Sequence, residues 1–117
     1  MDSALDDHFH APRNAGVIDD ADLRIEVENP VCGDLLRLSL RRSAAGRIEA
    51  VRFQVYGCPA AVATGSLLTE LLAGRSRDEL AMIDRARLED GLGGLSSESA
   101  HAAVLGEDAV ARLRASW

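Results

Sequence analysis

The chain has 117 residues, a formal net charge of −6 and an aromatic content of only 3 %, so a single domain over residues 1–117 must build its core from Leu, Val, Ile and Ala. The acidic balance argues against nucleic-acid binding, which depends on clustered Lys and Arg. All thirteen basic residues are Arg, which excludes lysine nucleophiles and Schiff bases.

The opening Met1–Asp7 segment is acidic and lacks the apolar centre of a signal peptide. No apolar run approaches membrane-spanning length. A cytoplasmic protein without membrane insertion is expected, and in a reducing compartment its two cysteines, Cys32 and Cys58, are expected as free thiols or ligands.

Pro12 ends any helical turn that begins near Ser3, and an irregular loop should follow. Leu23, Ile25 and Val27 alternate with Arg24, Glu26 and Glu28, the period of a half-buried strand. Asn29 and Pro30 stop it. Leu36, Leu38 and Leu40 mark a second strand, Ser43–Gly46 a hairpin connection, and Val51, Phe53 and Val55 a third. Short links predict an antiparallel meander whose apolar face is covered by helices, an α+β fold.

From Pro59 the period becomes helical. Ala60, Ala63, Thr64, Leu67 and Leu71 share a face, and Gly74 is placed to end the helix. Gly65 inside it costs about 1 kcal/mol relative to Ala, which points to close packing there. Shorter helical pieces are predicted over Arg77–Met82 and Asp84–Asp90. After a break at Gly91–Ser97, a serine can cap a last helix over Glu98–Ala115. Its buried stripe is Ala102, Leu105, Ala109 and Leu113, with His101 at the edge.

The stretch Val55–Ala61 reads as a strand end, a glycine turn, a cysteine and a helix start. Pro59 suits the first helical position, which puts Cys58 at the N-cap. There the positive end of the helix dipole favours the anionic, metal-binding form of a thiol. Cys32 lies in a second tight turn, Pro30–Asp34. Cys32, Asp34, Cys58 and His101 form a donor set suited to zinc or to iron in a cluster. The plainer alternative is two small buried cysteines, an aspartate capping a turn and an interfacial histidine. For His8 and His10, near the N-terminus, mobile solvated side chains are expected. The pairs Asp19–Asp20 and Glu107–Asp108 read as solvated faces. No phosphate loop, Ser-His-Asp set or HExxH pattern is present, so no enzyme activity is expected.

Four motifs in order carry a resemblance: Asp7–Gly16; Cys32-Gly33-Asp34; Phe53–Cys58 followed by Ala61, Ala63, Ser66, Leu67, Thr69 and Glu70; and His101 followed by Leu105–Ala109. Together they resemble IscU and the N-terminal domain of NifU, the iron-sulfur cluster assembly scaffolds. The resemblance implies a three-stranded antiparallel sheet with helices packed over it. It also implies a surface site for zinc or a 2Fe-2S cluster, with Cys32, Asp34, Cys58 and His101 as its residues. The family's third cysteine, a ligand and the usual acceptor of persulfide sulfur, is replaced by Ala102. The chaperone signal is also missing from Leu95–Ser99, which has neither its prolines nor its lysine.

Two functions are compatible with these features. One is a divergent cluster scaffold or carrier working with a cysteine desulfurase or an iron-sulfur recipient protein. The other is an IscU-like adaptor within a larger iron-sulfur or redox complex, with zinc or no metal.

Overall fold

A computed structural model describes residues 4–29, 33–96 and 99–117. The elements run α1 (Ala4–His10), β1 (Leu23–Glu28), β2 (Leu35–Arg42), β3 (Ile48–Tyr56), α2 (Pro59–Leu72), a 3₁₀ turn (Asp78–Met82), α3 (Arg85–Gly91) and α4 (Ala100–Ser116). The strands form one antiparallel sheet in the order β1-β2-β3. This is the α+β meander expected from the alternating residues.

Register explains the core. Ile25 lies opposite Leu38, which lies opposite Phe53, and Val27, Leu36 and Val55 form the next row. Strand side chains alternate between faces, so these rows share one apolar face while Glu26 and Arg37 pair on the other. The helices cover the apolar face: α4 packs under β1 and β2, and α2 under β3. The stripe expected on α4, Ala102, Leu105, Ala109 and Leu113, is fully buried, and Leu88 of α3 joins the same cluster.

Several boundaries differ from the periodic pattern for local reasons. The third strand starts at Ile48, three residues before the first alternating valine, because its N–H and C=O bond to Arg75 and Gly74 of the loop after α2. Arg77–Met82 holds only a 3₁₀ turn. The preceding helix is terminated as expected, with Gly74 at φ +81°. Asp84 caps α3 through a 2.8 Å bond from the Arg87 N–H. Ser99 is the N-cap of α4 but makes no side-chain capping bond, and the Ser96 hydroxyl accepts the Ser99 N–H instead. The expected start of this helix at Glu98 lies outside the described residues.

Glycines set how closely the layers meet. A Cβ on Gly65 would lie within 2.5–2.7 Å of the Phe53 ring, and one on Gly106 within 2.7–2.8 Å of Leu88 and Thr64. Close packing at Gly65 is therefore the reason a poor helix former stands inside α2.

The N-terminal segment departs from expectation. His8 is buried, not a mobile solvated side chain, whereas His10 is exposed as expected. Ser66 and Thr69 on α2 hold the segment through polar bonds. His8 Nδ1 lies 2.7 Å from the Ser66 hydroxyl, which also accepts the Arg13 N–H at 2.8 Å. Thr69 bonds to the Arg13 carbonyl and accepts from Asn14. Accepting from Arg13 leaves the Ser66 hydroxyl proton for His8 Nδ1, which needs a neutral ring there. Beyond it, Asn14 and Gly16 pair with Phe53 as a short parallel bridge. Among the described residues, no helix is long and apolar enough to cross a membrane.

Burial, followed by the nearby Arg13 cation, lowers the His8 pKa from its ordinary 6.5 against the opposing pull of Glu70 and Asp7. The unfolded chain therefore binds this proton more readily than the folded one. Stability from the neutral ring is full above pH 6.5 and is lost as pH falls through the lowered folded value. Urea denaturation across this range is expected to show that loss, and His8→Asn to flatten it. At Gly65, helix propensity alone would reward alanine by about 1 kcal/mol. Gly65→Ala is instead expected to lower stability by about 1–2 kcal/mol, because the overpacked methyl displaces the Phe53 ring.

Candidate functional site

Three chain segments converge at one end of the sheet. After β1, the Asn29 N–H bonds to the Asp34 carbonyl at 2.8 Å and the Gly33 N–H to the Asn29 carbonyl at 2.7 Å. Gly33 takes φ +74°, a left-handed conformation natural to glycine. The turn delivers Asp34 buried, at 3 % exposure. After β3, Cys58 is the N-cap of α2 with Pro59 at the helix start, as the sequence predicts. His101 lies in the first turn of α4, half-buried.

The Asp34 carboxylate links all three. Its Oδ1 accepts the Cys58 backbone N–H at 3.2 Å, at the N-cap of α2. Its Oδ2 lies 3.0 Å from His101 Nε2 and 3.6 Å from Cys58 Sγ. Sγ and Nε2 are themselves 3.6 Å apart. Burying a carboxylate is tolerable only with such partners. Gly57 makes room for it, since a Cβ there would lie on the Asp34 carboxylate.

The ligand atoms of Asp34, Cys58 and His101 all lie within 4.8 Å of one another. In a tetrahedral zinc site, bonds of roughly 2.0–2.3 Å put neighbouring N, O and S ligands roughly 3.3–3.6 Å apart. The two separations from Cys58 Sγ, 3.6 Å each, match that spacing, while Asp34 Oδ2 and His101 Nε2 at 3.0 Å stand at hydrogen-bond distance. A nucleophile-base-orienter relay would use both ring nitrogens of the histidine, one for the thiol and one for the carboxylate. Here both groups face Nε2, so the three atoms converge on a point and do not form a relay. The set can hold a metal through one thiolate, one imidazole and one carboxylate.

Of the four residues singled out in the sequence, the structure brings together Asp34, Cys58 and His101. Cys32 lies outside the described residues. Ala102, where the resembling family has its third cysteine, is fully buried in the core. Sequence reasoning missed Gly57 as the residue that admits the carboxylate, and the signal for it, a glycine directly before an N-cap cysteine, was visible only as a turn. It also missed the Asp34 bond to the Cys58 N–H, which spans 24 positions.

Residues 2–115 match the family model of the NifU-like N-terminal domain. The chain belongs to this family. Among relatives of the NifU-like domain, the iron-sulfur cluster assembly scaffold protein IscU 1 of Archaeoglobus fulgidus is 43 % identical over 106 residues, covering 91 % of this chain and 69 % of that protein. The scaffold protein IscU of Escherichia coli K12 is 37 % identical over 107 residues, with 89 % and 83 % covered. These relatives are named as scaffolds rather than enzymes. Among solved structures, the N-terminal part of a nitrogen-fixing NifU-like protein from Brucella abortus superimposes with a TM-score of 0.65 at 17 % identity, covering 97 % of this chain and 79 % of that one. That likeness bears on the fold, and the fold is the one expected.

Gly57→Ala tests the packing of the site in this NifU-like domain. The added methyl has to displace the Asp34 carboxylate and so loses its bonds to Cys58 and His101. A loss of about 1–3 kcal/mol in urea denaturation is expected, with the His101 ring resonances shifted in NMR spectra relative to the parent chain.

Proposed function

We propose that the protein is a divergent iron-sulfur cluster assembly scaffold or carrier, which holds a 2Fe-2S cluster or a zinc or iron ion through Cys32, Asp34, Cys58 and His101. The observation that carries the reading is the convergence of Asp34, Cys58 and His101, whose ligand atoms all lie within 4.8 Å of one another. Kinship with proteins named as cluster scaffolds supports the cargo.

The chemistry of the donors fits a transient hold. Thiolates bind iron and zinc strongly, while a carboxylate and an imidazole are exchangeable with solvent or with a recipient's ligands. Asp34 is committed to two other bonds, to the Cys58 N–H and to His101. Ligation by this carboxylate competes with the His101 contact, which gives the chain a built-in alternative to the loaded state. On this reading an incoming metal draws Sγ and Nε2 to itself, and on departure His101 returns to Asp34.

With a buried methyl at Ala102, the site has at most two thiolates. Such a site releases its cargo more readily than one with three. A cysteine desulfurase as sulfur source and an iron-sulfur protein as recipient are the partners this function requires.

Protein purified anaerobically from cells supplied with iron and cysteine is expected to contain iron and acid-labile sulfide in matching amounts, both lost in Cys58→Ala. Zinc in place of iron and sulfide, again lost in Cys58→Ala, would keep the site and remove the cluster from the reading. Neither metal nor sulfide in the parent protein would overturn it in favour of the metal-free adaptor.

A further inference from the structure

α2 and α4 pack on the apolar face of the sheet. The opposite face is crossed by the segment that follows Gly16. This segment leaves β3 at Gly16, whose N–H bonds to the Phe53 carbonyl. It is held over β2 by a 2.9 Å bond from the Ile18 N–H to the Ser39 hydroxyl, and it joins β1 where the Asp22 N–H bonds to the Leu40 carbonyl. Between the crossing and the strands lies a cavity of about 370 Å³, bounded by Val17, Arg24, Glu26, Arg37, Ser39 and Gln54. Small-molecule sites begin at roughly 300 Å³. The register gathers the polar lining, for Arg24 lies opposite Ser39, and Glu26 lies opposite Arg37, which lies opposite Gln54.

Three donors in this lining have capacity to spare. Gln54, the only glutamine of the chain, makes no hydrogen bond through its amide among the described residues. Ser39 is buried, at 6 % exposure, and its hydroxyl accepts from Ile18 but donates to no described residue. Buried polar groups are ordinarily satisfied, and a hydroxyl that only accepts still has its proton to give. Arg24 donates from Nη2 to the Ile18 and Asp19 carbonyls, at 2.9 and 3.0 Å, and pairs with no carboxylate among the described residues.

We propose that this cavity binds a phosphate group, as free phosphate or as the monoester of a small molecule, through Arg24, Ser39 and Gln54. The charge is of the right sign. Glu26 also lines the cavity but is paired with Arg37, so two arginines against one glutamate leave one positive charge in excess. The donor geometry favours phosphate over a carboxylate. A carboxylate is held best by a two-pronged edge of a guanidinium, and on Arg24 both such edges contain Nη2, already committed to two carbonyls. What remains is one separate donor from each of three strands, which suits a tetrahedral group with three free oxygens. Val17, 46 % exposed at the rim, offers an apolar contact for the carbon part of an ester.

None of these residues is a candidate metal ligand, and the cavity lies on the face away from α2 and α4. Phosphate binding and metal binding therefore stand or fall separately.

NMR titration of the full chain, without metal and at constant ionic strength, is the test. Inorganic phosphate is expected to move the side-chain amide signals of Gln54 and the backbone amides of Gly16 and Val17 along one saturable curve. Acetate is expected to bind at least about tenfold more weakly. Glycerol 3-phosphate binding tighter than inorganic phosphate by about threefold or more identifies an ester as the occupant, and equal binding identifies the free ion. Arg24→Gln and Ser39→Ala are each expected to weaken phosphate binding about tenfold. Each also removes a bond to the crossing segment, so Gln54→Leu, which breaks no bond within the chain, is the cleaner variant. Read at Gly16, it is expected to weaken binding about threefold or more. Arg112→Gln removes the same charge from α4 and is expected to leave the affinity within about twofold. Shifts that do not saturate, acetate binding as tightly as phosphate, equal weakening by Arg112→Gln, or affinity unchanged in Gln54→Leu overturns the proposal.

Discussion

The buried Asp34 carboxylate is the contact on which the functional end of this molecule depends. Its two oxygens bond to the N–H of Cys58, the N-cap of α2, and to the imidazole at the start of α4. Three segments far apart in sequence are thereby held on one anion. A carboxylate out of water is stabilised only by such bonds, and here the groups that stabilise it are the candidate ligands themselves. Packing and function therefore share the same interaction. Gly57 is its steric condition, for no larger residue leaves room for the carboxylate.

The remainder of the fold brings those segments to one end. An antiparallel meander returns the end of β1, the start of β2 and the end of β3 to the same side, and α4 begins there because it runs beneath the sheet from that end. Close contact between layers rests on missing side chains, at Gly65 against Phe53 and at Gly106 against Leu88 and Thr64. The polar seam of Ser66 and Thr69 then ties the N-terminal segment to α2. That seam is directional, so it fixes the segment's register as well as its attachment. The same segment closes part of the β3 edge.

Much of this was legible beforehand. Alternation at Leu23–Val27, Leu36–Leu40 and Val51–Val55 named three strands, and the change of period at Pro59 named the helix behind Cys58. Cys58 as N-cap followed from Pro59, because proline favours the first helical position for reasons internal to the chain. The candidate donors were visible as residue types in turns, and the order of four motifs pointed to the family to which the chain belongs. His8 was misread as solvated because its burial depends on a hydroxyl 58 positions away, which no local pattern reports. The start of β3 at Ile48 was missed for the same reason, since its bonds come from a loop beyond α2.

By itself the sequence determined the elements, the apolar faces and the residue types available as ligands, because periodicity, proline placement and side-chain chemistry act over a few residues. Tertiary structure alone decided that Asp34, Cys58 and His101 meet, that both the thiol and the carboxylate face the same ring nitrogen, and that His8 is buried. Those outcomes depend on hydrogen bonds and close contacts between residues dozens of positions apart, and only the folded chain brings such groups within reach.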